Sequence, residues 1–302
     1  MSAATVPLEA GHAVTATAEA ILRTVTYASL FQAPLTIDRL HRNLMDVELS
    51  REELEEALGD PWLRRRIEVA HGLVVPRGRR DWIPMRATRR AHSRRLLARH
   101  RRVLRLLGRL PFVRMVAVSG ACAHENATDD DVDVFLVARE GRAWGVCLAL
   151  TVLSRVLGVR RTLCLNYIVD EAALALPEQD VFTAAEVVGL RPLAGRQTYR
   201  RLVDVNGWAA RLFPNFRKRH LAESEPVPSA GAPTWERVLD VGVAPLFERV
   251  ARHVLGIHLA RKGRGCGGVV LGPHRLKLHT RDHRPSLLAS FESALRSGEW
   301  DS

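Results

Sequence analysis

The stretch that most constrains this chain runs from Val116 to Val137. An apolar strand-like run leads into Ser119-Gly120-Ala121, an acidic turn follows, and a second run opens Asp131-Val132-Asp133-Val134. Alternate residues of a strand share one face, with Cα atoms about 6.5–7 Å apart. Asp131 and Asp133 therefore point to one side, and Val132 and Val134 to the other, into a core. Carboxylates so placed suit a pair of divalent cations about 3.5–4 Å apart. Gly120 lets a backbone approach phosphate closely, and the amides after it face an anion. A solvated turn accounts for Asp129, Asp130 and Asp131 as turn-forming residues. It does not account for two acids on one face of an apolar strand behind a glycine turn.

The surrounding chain divides by chemistry. Residues 1–85 read as a winged-helix-like domain of short helices and a hairpin. Ile21, Leu22, Val25 and Ala28 have helical spacing, Thr36 caps a second helix, and Ser50 with Glu53 forms a capping box for a third. Ile67-Glu68-Val69 and Leu73-Val74-Val75 flank His71-Gly72 as strand, turn and strand. Residues 86–221 form the central domain, entered by a basic helix with ten arginines between Arg86 and Leu110. Leu96, Val103, Leu107 and Leu110 share one face of that helix, leaving arginine on the others. Strands at 113–118, 132–137 and 163–169 alternate with a helix at 144–157, which predicts a small mixed α/β (α+β) sheet with flanking helices. Residues 222–234 are rich in Pro, Ser, Gly and Ala and form a linker, and 235–302 a C-terminal helical segment split near Pro245.

The Gly120 to Val134 stretch resembles the signature of the polymerase-β-type nucleotidyltransferase superfamily. There an apolar residue precedes Gly and a Gly or Ser, and nine to thirteen residues separate these from alternating acidic and apolar positions. Here nine residues lie between Ala121 and Asp131. Cys164-Leu165-Asn166-Tyr167 and Leu212-Phe213-Pro214-Asn215 are similar to landmarks of a bacterial group of such domains, over much of residues 17–220. The resemblance implies an enzyme that transfers a nucleoside monophosphate from a nucleoside triphosphate to a hydroxyl of an RNA end, a protein or a small molecule. Asp131 and Asp133 would be catalytic and would hold two Mg²⁺ (or Mn²⁺) ions. Ser119, Gly120 and Ala121 would bind the nucleotide. Ala121 departs from the pattern, because it lacks the hydroxyl usually offered to the triphosphate, and Ser119 stands one residue earlier.

Active members carry a third carboxylate on a later strand. The strand at 163–169 contains no acid, so Asp170, at its end, or the carbonyl of Asn166, within it, is the candidate third ligand. The alternative is a degraded site, in a protein that senses nucleotide or binds nucleic acid. The formal charge of +12 favours a polyanion such as RNA or a polyphosphate. The four cysteines lack zinc-site spacing. His279, Asp282 and His283 lack a frame that would make them a metal triad, and His124 reads as a surface residue. Arg139, Arg142, Arg160 and Arg161 flank the sheet as solvated charges. No apolar run spans a bilayer and Met1 opens no signal peptide, so the expected location is cytoplasmic, without a membrane partner.

Overall fold

Side-chain caps set the helix starts of the N-terminal third. The computed structural model describes residues 15–222, 234–262, 268–278 and 282–297. Thr15 accepts from the Ala18 amide at 3.1 Å to open α1 (Ala16–Ser29), and β1 (Leu35–Thr36) follows. Thr36 accepts from Arg39 to open α2 (Ile37–Arg42). Ser50 and Glu53 exchange both bonds of the expected capping box at the start of α3 (Arg51–Ala57), and α4 (Pro61–Arg64) is capped by Asp60. Each such cap contributes about 1 kcal/mol. β2 (Ile67–Ala70) and β3 (Leu73–Pro76) make the expected hairpin, and β1 extends it to a three-stranded antiparallel sheet of order β1-β3-β2. Ile21, Leu40, Leu54 and Leu63, all fully buried, form the core of this part.

The basic helix, α5 (Trp82–Leu107), leads into β4 (Val113–Val118), the short α6 (Gly120–Ala123), β5 (Val132–Ala138) and α7 (Ala143–Val156). β6 (Leu163–Asp170), α8 (Val181–Gly189), β7 (Arg191–Ala194), α9 (Arg196–Val205), α10 (Gly207–Leu212) and α11 (Pro214–Ala222) come next. After the linker come α12 (Thr234–Val241), α13 (Ala244–Lys262), β8 (Val269–Leu271), β9 (Arg275–Leu278) and α14 (Arg284–Ser297). The main sheet has six strands in the order β7-β4-β5-β6-β9-β8. It is mixed: β5 and β6 run parallel, and the other neighbours are antiparallel. The C-terminal segment is thus more than helix, because its hairpin completes one edge of this sheet. Val132, Val134 and Leu136 are fully buried on the α7 side, as their alternation requires. Of the expected linker at 222–234, residues 223–233 lie outside the described residues, as do the glycine-rich stretch 263–267 and His279. Among the described residues, no helix is long and apolar enough to cross a membrane.

The N-terminal half of α5 uses its arginines to hold the loop after α6. Glu125 has φ +54°, a left-handed backbone that a non-glycine residue adopts only when its surroundings enforce it. Arg39, Arg86, Arg90 and Arg94 lie 3.4, 3.6, 3.3 and 3.1 Å from its carboxylate. Arg86 also donates to the Glu125 carbonyl at 2.6 Å and is buried. Burial by itself would raise the Glu125 pKa, but the bond from Arg94 and the charges of Arg39 and Arg90 outweigh it and hold the carboxyl below its usual range. Removing Glu125 takes the carboxylate from the buried Arg86, at a cost of about 2 kcal/mol, whereas the exposed Arg90 and Arg94 lose little. Glu125→Ala is expected to destabilise the fold by about that amount in urea unfolding. A change below about 0.5 kcal/mol, the range of ordinary surface substitutions, would refute this role.

Candidate active site

The end of β4 brings the glycine turn against β5. The Ser119 amide donates to the Asp133 carbonyl at 3.0 Å, and Ser119 itself is buried. Gly120 has φ +59°, and a Cβ there would collide with the Asp133 carboxylate. Glycine is required at this point because the acid and the turn occupy adjoining space. Ala121 is exposed on the first turn of α6. The Cys122 thiol donates to the Asp131 carbonyl at 3.4 Å, tying α6 to the entry of β5.

Asp131 stands just before β5 and Asp133 is its second residue, both half-buried, while Val132 between them is fully buried. Burial pushes Asp133 up to about 6, with a further rise from Asp129 and Asp131, against a hydrogen bond from Asn166 that lowers it. Asn166 donates its amide to Asp133 Oδ1. The register explains how it gets there. Val134 pairs with Leu165 but Phe135 pairs with Tyr167, so Asn166 is the extra residue of a bulge in the β5–β6 pair. Leu165 is buried in the α7-side core, whereas Tyr167 stacks on Phe135 on the opposite face, with ring centroids 5.2 Å apart. The bulge lets Asn166 and Tyr167 both serve the face that carries Asp133.

The two candidates for a third ligand separate cleanly. Asp170 pairs with Ala138, five positions along β5 from Asp133, or about 16 Å at 3.3 Å per residue. It is fully buried there, accepting from Gly141 at 2.8 Å, Ala172 at 3.0 Å and His274 at 2.7 Å, and so anchors the turns at the far end of the sheet. Asn166 alone of the two is at the site.

A carboxylate that the strand pattern does not reveal also reaches it. Glu186 on α8 accepts from the Gly120 amide. Burial and then the nearby charge of Asp133 push it up to about 7, against that hydrogen bond. Its one signal in the sequence is that it is the sole charged residue in the Val181–Gly189 helix. A carboxyl raised from 4.5 to about 7 on folding holds a proton in the folded chain that the unfolded chain has lost. The stability this contributes is complete below about pH 4.5 and is lost as the pH rises through 7. Glu186→Gln, which removes the titration, is expected to gain stability relative to the parent over that pH interval. Parallel curves of stability against pH for the two proteins would contradict the assignment.

His124 caps α6 and is half-buried, with its ring packed against Gly189, so it is not the fully solvated residue expected. Burial, then Arg39, Arg42 and Arg86, push its pKa down to about 4, which leaves it neutral. Arg139 and Arg142 both pair with Asp240 at 2.7 Å, and Arg160 and Arg161 are exposed. Asp282 pairs with Lys277 at 3.4 Å. Cys122, Cys147 and Cys164 are free thiols.

Ser119, Gly120, Ala121, Asp133, Asn166 and Glu186 all line one cavity of about 530 Å³ between α1, α8 and α14. Among the described residues, no group of three or more His, Cys, Asp or Glu is placed to hold a metal ion. Asp131 and Asp133 nevertheless suit a hard cation, because neither carboxylate is paired with a cationic side chain among the described residues and burial leaves Asp133 short of compensation. Mg²⁺ characteristically binds through one or two carboxylates and completes its shell with water and phosphate oxygens. Compared with protein-family models, with curated proteins and with solved structures, the chain matches none.

Proposed function

We propose that this chain is a metal-dependent nucleotidyltransferase of the polymerase-β type that moves a nucleoside monophosphate from a nucleoside triphosphate to a hydroxyl. The observation that carries this reading is the contact of Asp133 with the Gly120 turn, in a site that also gathers Asn166 and Glu186. Asp131 and Asp133 would hold Mg²⁺ or Mn²⁺, which when bound neutralises phosphate charge and lowers the pKa of a hydroxyl beside it. The backbone of Ser119, Gly120 and Ala121 receives the β- and γ-phosphates. Asn166 orients Asp133. Glu186, with an affinity for protons near neutrality, accepts the hydroxyl proton as the oxygen attacks the α-phosphorus. The bond from that phosphorus to pyrophosphate then breaks. Residues 15–85, with capped helices and a three-stranded sheet, are read as a winged helix whose role is at least partly intramolecular, because Arg39 and Phe31 line the same cavity.

A second reading, nucleotide sensing without transfer, draws on Ala121 and on the Gly120 amide being taken by Glu186. Arg95, Arg99, Arg101, Arg102 and Arg105 on α5 are exposed and carry no ion pair among the described residues. A polyanion such as RNA would meet them through its phosphates, with steep dependence on salt. Incubation with each α-labelled triphosphate, Mg²⁺ or Mn²⁺ and cellular extract tests the leading reading. Label joined to an acceptor, with pyrophosphate released, supports transfer. Bound triphosphate with no transfer under any metal supports sensing.

A further inference from the structure

The cavity that meets the Asp133 end of the site has walls unlike those of a nucleic-acid channel. Its wall is mostly apolar and includes Tyr27, Leu35, Phe182, Phe213 and Leu287, from α1, β1, α8, α14 and the segment after α10, with Phe31 from the turn after α1. Tyr27 and Phe31 meet edge to face at 5.5 Å, so one wall is an ordered aromatic surface. Protein interiors seldom leave voids larger than a water molecule, because lost contacts destabilise the fold in proportion to the volume left open. A chamber of about 530 Å³ is far beyond a packing flaw and falls within the range of small-molecule sites.

The charges on its wall narrow the ligand further. Among the described residues, every lysine and arginine on that wall is already engaged. Arg39 and Arg86 hold the Glu125 loop, Lys277 meets Asp282 at 3.4 Å, and Arg284 meets Asp180 at 2.5 Å. A phosphodiester chain entering the cavity would find no free cation among these four to neutralise it. Asp133 and Glu186, by contrast, have no cationic partner among the described residues, and their carboxylates accept hydrogen bonds. Asp131 is not part of the cavity wall, and Asp129 and Asp130 are exposed. Asp133 therefore divides an outer acidic side from an inner apolar one.

We infer that the inner cavity binds the acceptor, and that this acceptor is a small apolar molecule, aromatic or alicyclic, whose hydroxyl reaches Asp133 and Glu186. The identification as acceptor rests on the transfer reading above, whereas the class of ligand rests on the cavity. In the transfer step the acceptor oxygen forms the new bond to the α-phosphorus of the nucleoside triphosphate, pyrophosphate leaves, and the hydroxyl proton passes to Glu186.

The neutral fluorophore N-phenyl-1-naphthylamine serves as the probe. Titration into the full chain is expected to show saturable one-to-one binding. Ala28→Trp on α1 and Leu287→Trp on α14 fill the cavity from separate walls and should each weaken binding at least tenfold, with circular dichroism confirming the fold. Absence of saturable binding, or affinity unchanged in both variants, overturns the inference. In competition, 4-phenylbutan-1-ol should displace the probe at least tenfold better than butylbenzene, which lacks the hydroxyl. Equal displacement by the two, or displacement by an RNA oligonucleotide with a free 3′-hydroxyl, also overturns it. Calorimetric titration of wild type with MgATP and the other Mg-triphosphates is run separately. Failure of that titration with probe binding intact removes the transfer reading and leaves the small-molecule site standing.

Discussion

Replacing Asp131 and Asp133 together with alanine is expected to abolish magnesium-dependent binding of nucleoside triphosphate, a loss of a hundredfold or more in affinity by titration calorimetry. Each lost charged contact is worth about 1.5–3 kcal/mol, and two together exceed the roughly 2.7 kcal/mol that a hundredfold represents. The remaining acids sharpen the effect. Asp129, Asp130 and Glu186 stay in place in the double variant, and without a bound cation they repel the triphosphate. The same field predicts that chelating the metal from the wild type should weaken binding about as much as the double substitution does. Equal affinity of wild type and double variant would remove these aspartates from the site. Thermal melting separates the two effects, because Asp133 is a raised, half-buried carboxyl whose removal is expected to leave the fold intact or stabilise it.

Gly195→Ala is expected to cause the largest loss of stability of any glycine-to-alanine change among the described residues. Gly195 joins β7 to α9 with φ +75° and ψ +45°, in the left-handed region. A Cβ there would overlap the Arg114 carbonyl oxygen and crowd the Met115 Cα, both backbone atoms of β4. Neither can rotate away as a side chain would. The strained conformation alone costs about 1 kcal/mol or more, and displacing β7 from β4 adds the loss of sheet hydrogen bonds. We expect at least about 4 kcal/mol, which would leave the variant largely unfolded or insoluble, since domains hold only about 5–15 kcal/mol in all. A variant that melts within a few degrees of the parent would contradict this. Gly72, by contrast, has positive φ but open space where a methyl group would stand, so Gly72→Ala should cost only the backbone strain.

The parts of the site that the sequence discloses are those governed by short-range periodicity. Val132 and Val134 go to the core, and Asp133 goes the other way, against Asn166 and the Gly120 turn. Thr36, Ser50 and Glu53 cap helices because their chemistry acts over three residues. What the sequence hides depends on register and on distant chain. Asn166 faces Asp133 only because a bulge shifts the β5–β6 pairing by one residue, which no local pattern signals. Asp170 is excluded from the site by parallel register alone. Glu186 enters from a helix more than fifty residues beyond Asp133, and its sequence environment is simply apolar. The short strands β7, β8 and β9, at or next to the sheet edges, take their identity from the neighbours they pair with. Arginines on α5 that read as a phosphate surface prove divided, those near its start holding Glu125 and those further along facing solvent.

In the proposed reading, Asp131, Asp133 and the Gly120 turn form one metal–triphosphate site. The most direct measurement is anomalous diffraction from crystals of the full chain grown with Mn²⁺ and a non-hydrolysable nucleoside triphosphate analogue. A manganese peak is expected about 2.1 Å from carboxylate oxygens of both Asp131 and Asp133, the coordination distance of a small octahedral cation. The triphosphate is expected to lie over Ser119, Gly120 and Ala121, with the Glu186 carboxylate released from the Gly120 amide. Manganese bound elsewhere, or a triphosphate ordered away from the Gly120 turn, would contradict it.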